Sequence, residues 1–311
     1  MIRFVRFPER LVGALALLAV VSHAADAQRR RATDVRSRID TTVSFDRNGS
    51  VNISASNGSI TIVGWSRDQV HVRTSAGSEN IRLEGSSNRM TLNITGRRGE
   101  GSIEVSVPIG VRVSASTHSG HVSVRGTRGP VEGHSDNGSV EVDEAASRVD
   151  LSTFSGHVQA TDINGDARLE TISGVIKAQD IRGTVDATTV SGGIDLIGVT
   201  SKTVTAKTTS GDVTFDGLID PAGRYELSSH SGDIRLRVQR DASAQLSMST
   251  WSGGIDSQFP ITLKPGQQRI GSLNAKRFTF EIGSGAARII AETFSGDITL
   301  SSNGRGASSR R

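Results

Sequence analysis

From Thr117 to Gly296 the chain repeats one short phrase nine times: Thr or Ser, a variable residue, Ser or Asn, then Gly, with alternating apolar residues after it. It reads Thr117-His118-Ser119-Gly120, then Ser135-Asp136-Asn137-Gly138, Thr153-Phe154-Ser155-Gly156, Thr171-Ile172-Ser173-Gly174 and Thr189-Val190-Ser191-Gly192, and returns at Gly211, Gly232, Gly253 and Gly296. The intervals from Gly120 to Gly192 are 18 residues each, followed by 19, 21 and 21, and then a gap of 43. A unit this small cannot bury a core alone, so it must stack on its neighbours. The period therefore predicts an all-β fold: a parallel β-solenoid of coils about 18–21 residues long.

Each unit supplies two alternating runs. Val122 and Val124, Val140 and Val142, Val158 and Ala160, and Ile176 and Ala178 follow the glycines. Val149 and Leu151, Ala167 and Leu169, and Val185 and Ala187 precede the next phrase. Period-2 alternation puts these residues on one face of each strand, and stacking equivalent strands about 4.8 Å apart gathers those faces into a narrow interior. Glycine permits the left-handed corner, and Ser or Asn can bond the backbone there. Gly253 to Gly296 has room for two coils, with Pro260 to Ile270 as an excursion and the Gly296 coil closing the stack.

Residues 41–116 carry shorter runs without regular spacing, among them Ile60-Thr61-Ile62-Val63 and Ile103-Glu104-Val105-Ser106-Val107, and read as an irregular β cap before the repeats of 117–300. Residues 1–27 have the form of a secretory signal: Arg3, Arg6 and Arg10, an apolar run from Leu11 to Val21, and the small-x-small site Ala25-Asp26-Ala27. The apolar run is too short to span a bilayer, no later stretch is long enough, and there is no cysteine, so neither a transmembrane anchor nor disulfides are expected. The expected location is the periplasm, the cell surface or the medium.

Charge argues against a nucleic-acid partner. The net +4 of the whole chain resides in the signal (+1), residues 28–40 (+3) and the tail from Ser301 (+3), which leaves −3 on residues 41–300. The two basic ends read as disordered segments.

The phrases Asn57-Gly58-Ser59-Ile60-Thr61-Ile62 with Gly64-Trp65, Val107-Pro108-Ile109-Gly110-Val111, the repeated Ser-Gly-Asp-[Val/Ile], and Ile282-Gly283-Ser284-Gly285-Ala286 leading to Glu292-Thr293-Phe294-Ser295-Gly296-Asp297-Ile298 occur in order. In this the chain resembles the bacterial DUF4097 family, described as proposed adhesins with a β-strand repeat. The resemblance runs from about Thr41 to Leu300 and implies the fold and an exported location; it brings no catalytic residues.

The residues themselves single out no catalytic, cofactor or metal site. The hydroxyl columns, Thr/Ser at 117, 135, 153, 171, 189, 208, 229, 250 and 293 and Ser/Asn at 119, 137, 155, 173, 191, 210, 231, 252 and 295, read as corner scaffolding; an ice-binding face is the weaker alternative, because methyl-bearing Thr is missing from the second column. His118, His121 and Asp136, with His134 and His157 nearby, could hold zinc only if their side chains converged; they read as exposed groups on one edge. Asp195, Asp212, Asp233, Asp256 and Asp297 lack the nine-residue glycine spacing of calcium-binding rolls and read as solvated charges. A β-helix polysaccharide-active enzyme is the catalytic alternative, but 18-residue coils leave little length for cleft walls, and no Gly-x-Ser-x-Gly elbow is present. The sequence thus points to a non-enzymatic binding or structural module of the cell envelope, whose partner is an envelope or extracellular polymer or protein. Of the two tryptophans, Trp251 shares a column with Phe154, Ile172, Val190 and Phe294 and is expected to be packed.

Overall fold

The computed structural model describes residues 39–75, 81–85, 91–96, 101–260 and 276–303. The signal-like segment, most of the basic linker, residues 261–270 of the proline-flanked excursion and the tail beyond 303 lie outside the described residues.

Every regular element among the described residues is a strand. Through the regular repeats each coil supplies two strands, for example Val149–Ser155 and Val158–Ile163, and the next supplies Ala167–Ser173 and Ile176–Gln179. Equivalent strands pair in parallel one period apart: Val149 faces Ala167, Leu151 faces Leu169, and Thr153 faces Thr171. Val122, Val140, Val158, Ile176, Ile194 and Val213 are neighbours on successive rungs, and all are buried. Burial of one such side chain is worth about 1.5–3 kcal/mol, so this column and its companions hold the stack together. The expected β-solenoid is what the chain forms.

Two corners explain the phrase. At the first, Gly120, Gly138, Gly156, Gly174 and Gly192 have φ of 147°, 155°, 155°, 158° and 144°, and each donates its N–H to the Ser or Asn carbonyl of the following coil, as Gly156 does to Ser173 at 3.0 Å. The glycines lie directly over one another. A Cβ on Gly192 would collide with the Gly174 carbonyl oxygen and lie 2.6 Å from its carbon, far inside ordinary contact. At the second corner the left-handed position is taken by Gly126, Glu144, Asp162, Asp180 and Gly198 on successive rungs, with φ between 51° and 69°. A short third side follows, where Thr127, Ala145, Ile163, Ile181 and Val199 point inward.

The ends depart from chain order. Ser50–Asn57 pairs in parallel with Arg112–Ser119 on one side and Thr91–Gly96 on the other, and Ile60–Trp65 lies between Val122–Thr127 and Ile103–Pro108. The coil that comes first in the chain is therefore the second rung. The same happens at the other end, where Ala287–Ser295 inserts between the latter half of Val213–Ser231 and Ala244–Ser252, and Ile298–Ser302 inserts between Ile234–Val238 and Ile255–Ser257. So the Gly296 coil does not close the stack. The 43-residue interval contains the strand Lys276–Ile282, which runs antiparallel along Ala244–Ser252, rather than a further coil among its described residues. Antiparallel strands also flank the first rungs, with Gln69–Thr74 against Ile103–Pro108 and Ile81–Gly85 against Thr91–Gly96. Main-chain pairing is blind to side-chain identity, so rungs bearing the same phrase can stack in an order the chain does not follow. The added antiparallel strands cover the outer sides of Thr91–Gly96, Ile103–Pro108 and Ala244–Ser252, which would otherwise invite other chains.

Candidate binding face

The phrase divides its residues by direction. Thr or Ser at its first position is buried, and the hydroxyl donates to the glycine carbonyl of the rung below at 2.9–3.5 Å in all nine copies. This column is scaffold, as its chemistry suggested. Because the first position points in, the second must point out. Phe154, Ile172, Val190, Phe294 and Trp251 are accordingly exposed, at 59%, 45%, 49%, 49% and 42%. The expectation that Trp251 is packed is thus overturned: its column faces water along its whole length.

In spatial order that outward column runs His118, Asp136, Phe154, Ile172, Val190, Thr209, His230, Phe294 and Trp251. It is polar at the end nearest the N-terminal rungs and largely apolar beyond. At the far end the rings associate: His230 and Phe294 have centroids 4.9 Å apart with planes at 10°, and Phe294 and Trp251 are 6.0 Å apart at 4°. Residue 294 reaches that position only because its rung inserts between those of 230 and 251. Trp65 is elsewhere, half-buried, donating its indole N–H to the Gln69 carbonyl at 2.6 Å beneath the Arg67 guanidinium.

At the polar end, Asp136 accepts from His118 Nδ1 at 2.6 Å and His134 Nε2 at 3.0 Å. These hydrogen bonds, that from His118 being the stronger influence, hold the Asp136 carboxyl below its ordinary range. His121, just before the strand Val122–Thr127, meets Glu141 at 3.4 Å, and His157 Nδ1 accepts the Val175 N–H at 3.1 Å. The predicted histidine corner is therefore divided, and among the described residues no group of three or more His, Asp or Glu side chains is placed to hold a metal ion. His134 Nδ1 also lies 2.9 Å from Ser152 Oγ. A neutral His134 with its proton on Nε2 can thus donate to Asp136 and accept from Ser152, the connectivity of a nucleophile, base and orienting acid. Ser152 lies on an interior strand paired in parallel on both sides, so the main-chain N–H groups around it are engaged in the ladder.

Three of the five aspartates have structural work. Asp212, Asp233 and Asp297 each accept an N–H from the next rung, of Asp233, Asp297 and Gly254, at 2.7–2.9 Å. Arg235 bridges Asp212 and Asp233 at 2.7 and 2.8 Å. Burial acts to raise the Asp212 pKa, but Arg235 and the Asp233 N–H outweigh it, and the net shift is downward. Where the coils lengthen, an open groove of about 430 Å³ is lined by Asp166, Arg182, Lys202 and Asp220 among others. Its two carboxylates already hold the backbone N–H groups of Thr184 and Ala222, each at 2.8 Å. They serve as turn caps.

A stack of parallel coils with a buried hydroxyl and glycine spine defines the molecule as a β-solenoid repeat protein. The model of the Toastrack DUF4097 family matches residues 39–301, and the chain belongs to that family. Among solved structures, it is similar to a proposed adhesin from Parabacteroides distasonis at 11% identity, covering 86% of this chain and 97% of the other with a TM-score of 0.39. A proposed adhesin from Bacteroides fragilis matches at 14% identity, covering 86% and 98% with a TM-score of 0.32. A proposed cell adhesion protein from Clostridium sporogenes matches at 8%, covering 86% and 100% with a TM-score of 0.26. No curated protein matches the chain.

Proposed function

We propose that this protein is an exported, non-catalytic, adhesin-like module that binds an envelope or extracellular polymer or protein along the outward column of its repeated phrase. The observation that carries this reading is the contiguous exposure of Phe154, Ile172 and Val190, and of Phe294 and Trp251, on a rigid ladder. Apolar side chains in water are costly in a chain with only 4% aromatic residues, and placing them at rung spacing suits weak contacts that multiply along an extended partner. Export is supported by the signal-like first 27 residues, and no helix among the described residues is long and apolar enough to cross a membrane.

The test is a pull-down of cell-envelope fractions and a glycan and protein array with the full-length chain, beside a variant carrying Phe154→Ser, Ile172→Ser and Val190→Ser. Binding that the triple variant loses while its circular dichroism is unchanged supports the reading. Binding that survives even when the three changes are combined with Phe294→Ala and Trp251→Ala, or no binding at all, refutes it.

A further inference from the structure

We propose that the platform made by His230, Phe294 and Trp251 is a subsite for an uncharged pyranose polymer, an inference that rests on the binding role above and names its ligand class. Ring geometry comes first. Planes within 10° of parallel with centroids 4.9 and 6.0 Å apart are stacked, but more loosely than the about 3.5–4.0 Å of touching atoms. The ladder of rings stays open to solvent along its outer side, with Phe294 and Trp251 both exposed. A sugar ring has an apolar C–H face of matching size and hydroxyls around its rim.

The second observation is the rim of the platform. Ser231, Ser295 and Ser252 follow the three rings on their own rungs and are exposed. None of the three hydroxyls has a protein hydrogen-bond partner among the described residues, so each is available to a ligand hydroxyl as donor and acceptor. Charge bears on the ligand's sign. The cations beside the platform are already satisfied: Arg277 pairs with Glu292 at 3.1 Å, and Lys276 Nζ donates to the Gly253 carbonyl at 2.8 Å. The next corner column carries Asp233 and Asp297. Among the described residues the site has no free Lys or Arg and is bordered by carboxylates, which suits a neutral polymer and disfavours an anionic one. Successive rungs about 4.8 Å apart also match the scale of successive sugars in an extended chain, so neighbouring rings can serve neighbouring residues of one polymer.

The test uses the full-length chain with cellohexaose and chitohexaose as neutral probes and heparin as an anionic one, measured by calorimetry and by tryptophan emission in a Trp65→Phe background where Trp251 is the sole reporter. The expected result is saturable binding of a neutral hexasaccharide that perturbs Trp251 emission. Trp251→Ala or Phe294→Ala weakens that binding about tenfold or more, as truncating an aromatic anchor does; Trp251→Phe retains most of it, and Val63→Ala, on the strand Ile60–Trp65 away from the platform, leaves it unchanged. Neutral sugars that bind equally well to Trp251→Ala overturn the subsite. So does self-association of the chain that Trp251→Ala abolishes, which would assign the rings to a contact between copies. If neither hexasaccharide binds while envelope fractions do, the subsite falls and the broader reading stands; if nothing binds, both fall.

Discussion

Gly192→Ala is the sharpest test of the glycine spine. Gly192 has φ of +144°, where L-residues are rarely found, and a Cβ there would drive into the Gly174 peptide, 2.6 Å from its carbonyl carbon. Holding a non-glycine residue in such a conformation costs about 1–3 kcal/mol. The Gly174 carbonyl also accepts Thr189 Oγ1 at 3.3 Å, so pushing it aside forfeits a hydrogen bond worth about 0.5–1.5 kcal/mol. The expected loss is therefore about 2–4 kcal/mol, read from urea unfolding followed by circular dichroism. Gly193→Ala, one residue on, is the control. Its Cβ would meet nothing nearer than the Asp212 carbonyl at 3.4 Å, and it should stay within about 0.5 kcal/mol of the parent. If the two variants unfold together, glycine is not what lets the coils stack at this corner.

Four further outcomes concern individual side chains. Thr127 Oγ1 is buried without a partner in a column otherwise filled by Ala145, Ile163, Ile181 and Val199, so Thr127→Val should stabilise by about 1 kcal/mol in the same assay; the identical change at Thr171, whose Oγ1 donates to the Gly156 carbonyl at 3.1 Å, should destabilise by about as much. Glu144→Gly relieves a left-handed residue at φ 57°; relief of about 1–2 kcal/mol, less the entropic cost of glycine, leaves a gain of about 0.5–1 kcal/mol in unfolding experiments. Tyr225, the only tyrosine, donates its hydroxyl to the Ser201 carbonyl at 2.7 Å, and burial pushes its pKa up to about 12. Its neutral form is favoured by folding, so this stabilisation is fully present below pH 10.0 and is lost as pH rises towards about 12; an ultraviolet phenolate titration with a midpoint near 10.0 in the folded protein would contradict that burial. The Asp136 carboxyl is lowered in the fold by His118 and His134, so its contribution is present above the ordinary carboxylate range and is lost as pH falls through the depressed value. A carbon-detected NMR titration should show the low midpoint, and replacing both histidines by asparagine should return it towards the ordinary range.

Much was written in the residues themselves. An 18-residue period, alternation after each glycine and a hydroxyl three places before it fix the coil length, the inward Val122–Val140–Val158 column and the corner at which Thr153 caps Gly138. These are local rules of period and backbone permission, repeated until they dictate a rod. The direction of the variable position was legible too: a buried Thr153 obliges Phe154 to face out, although likeness within a column suggested packing for Trp251. Rung order was not legible. Nine near-equivalent phrases offer the same ladder to one another, and only the assembled ends, with antiparallel strands along the edges, decide that Gly296 rests between Gly232 and Gly253. That choice places Phe294 between His230 and Trp251, joining three aromatic residues separated in the chain into one surface. Main-chain pairing accepts any rung with matching register, so which rungs meet, and therefore what the face can bind, is settled by tertiary structure alone.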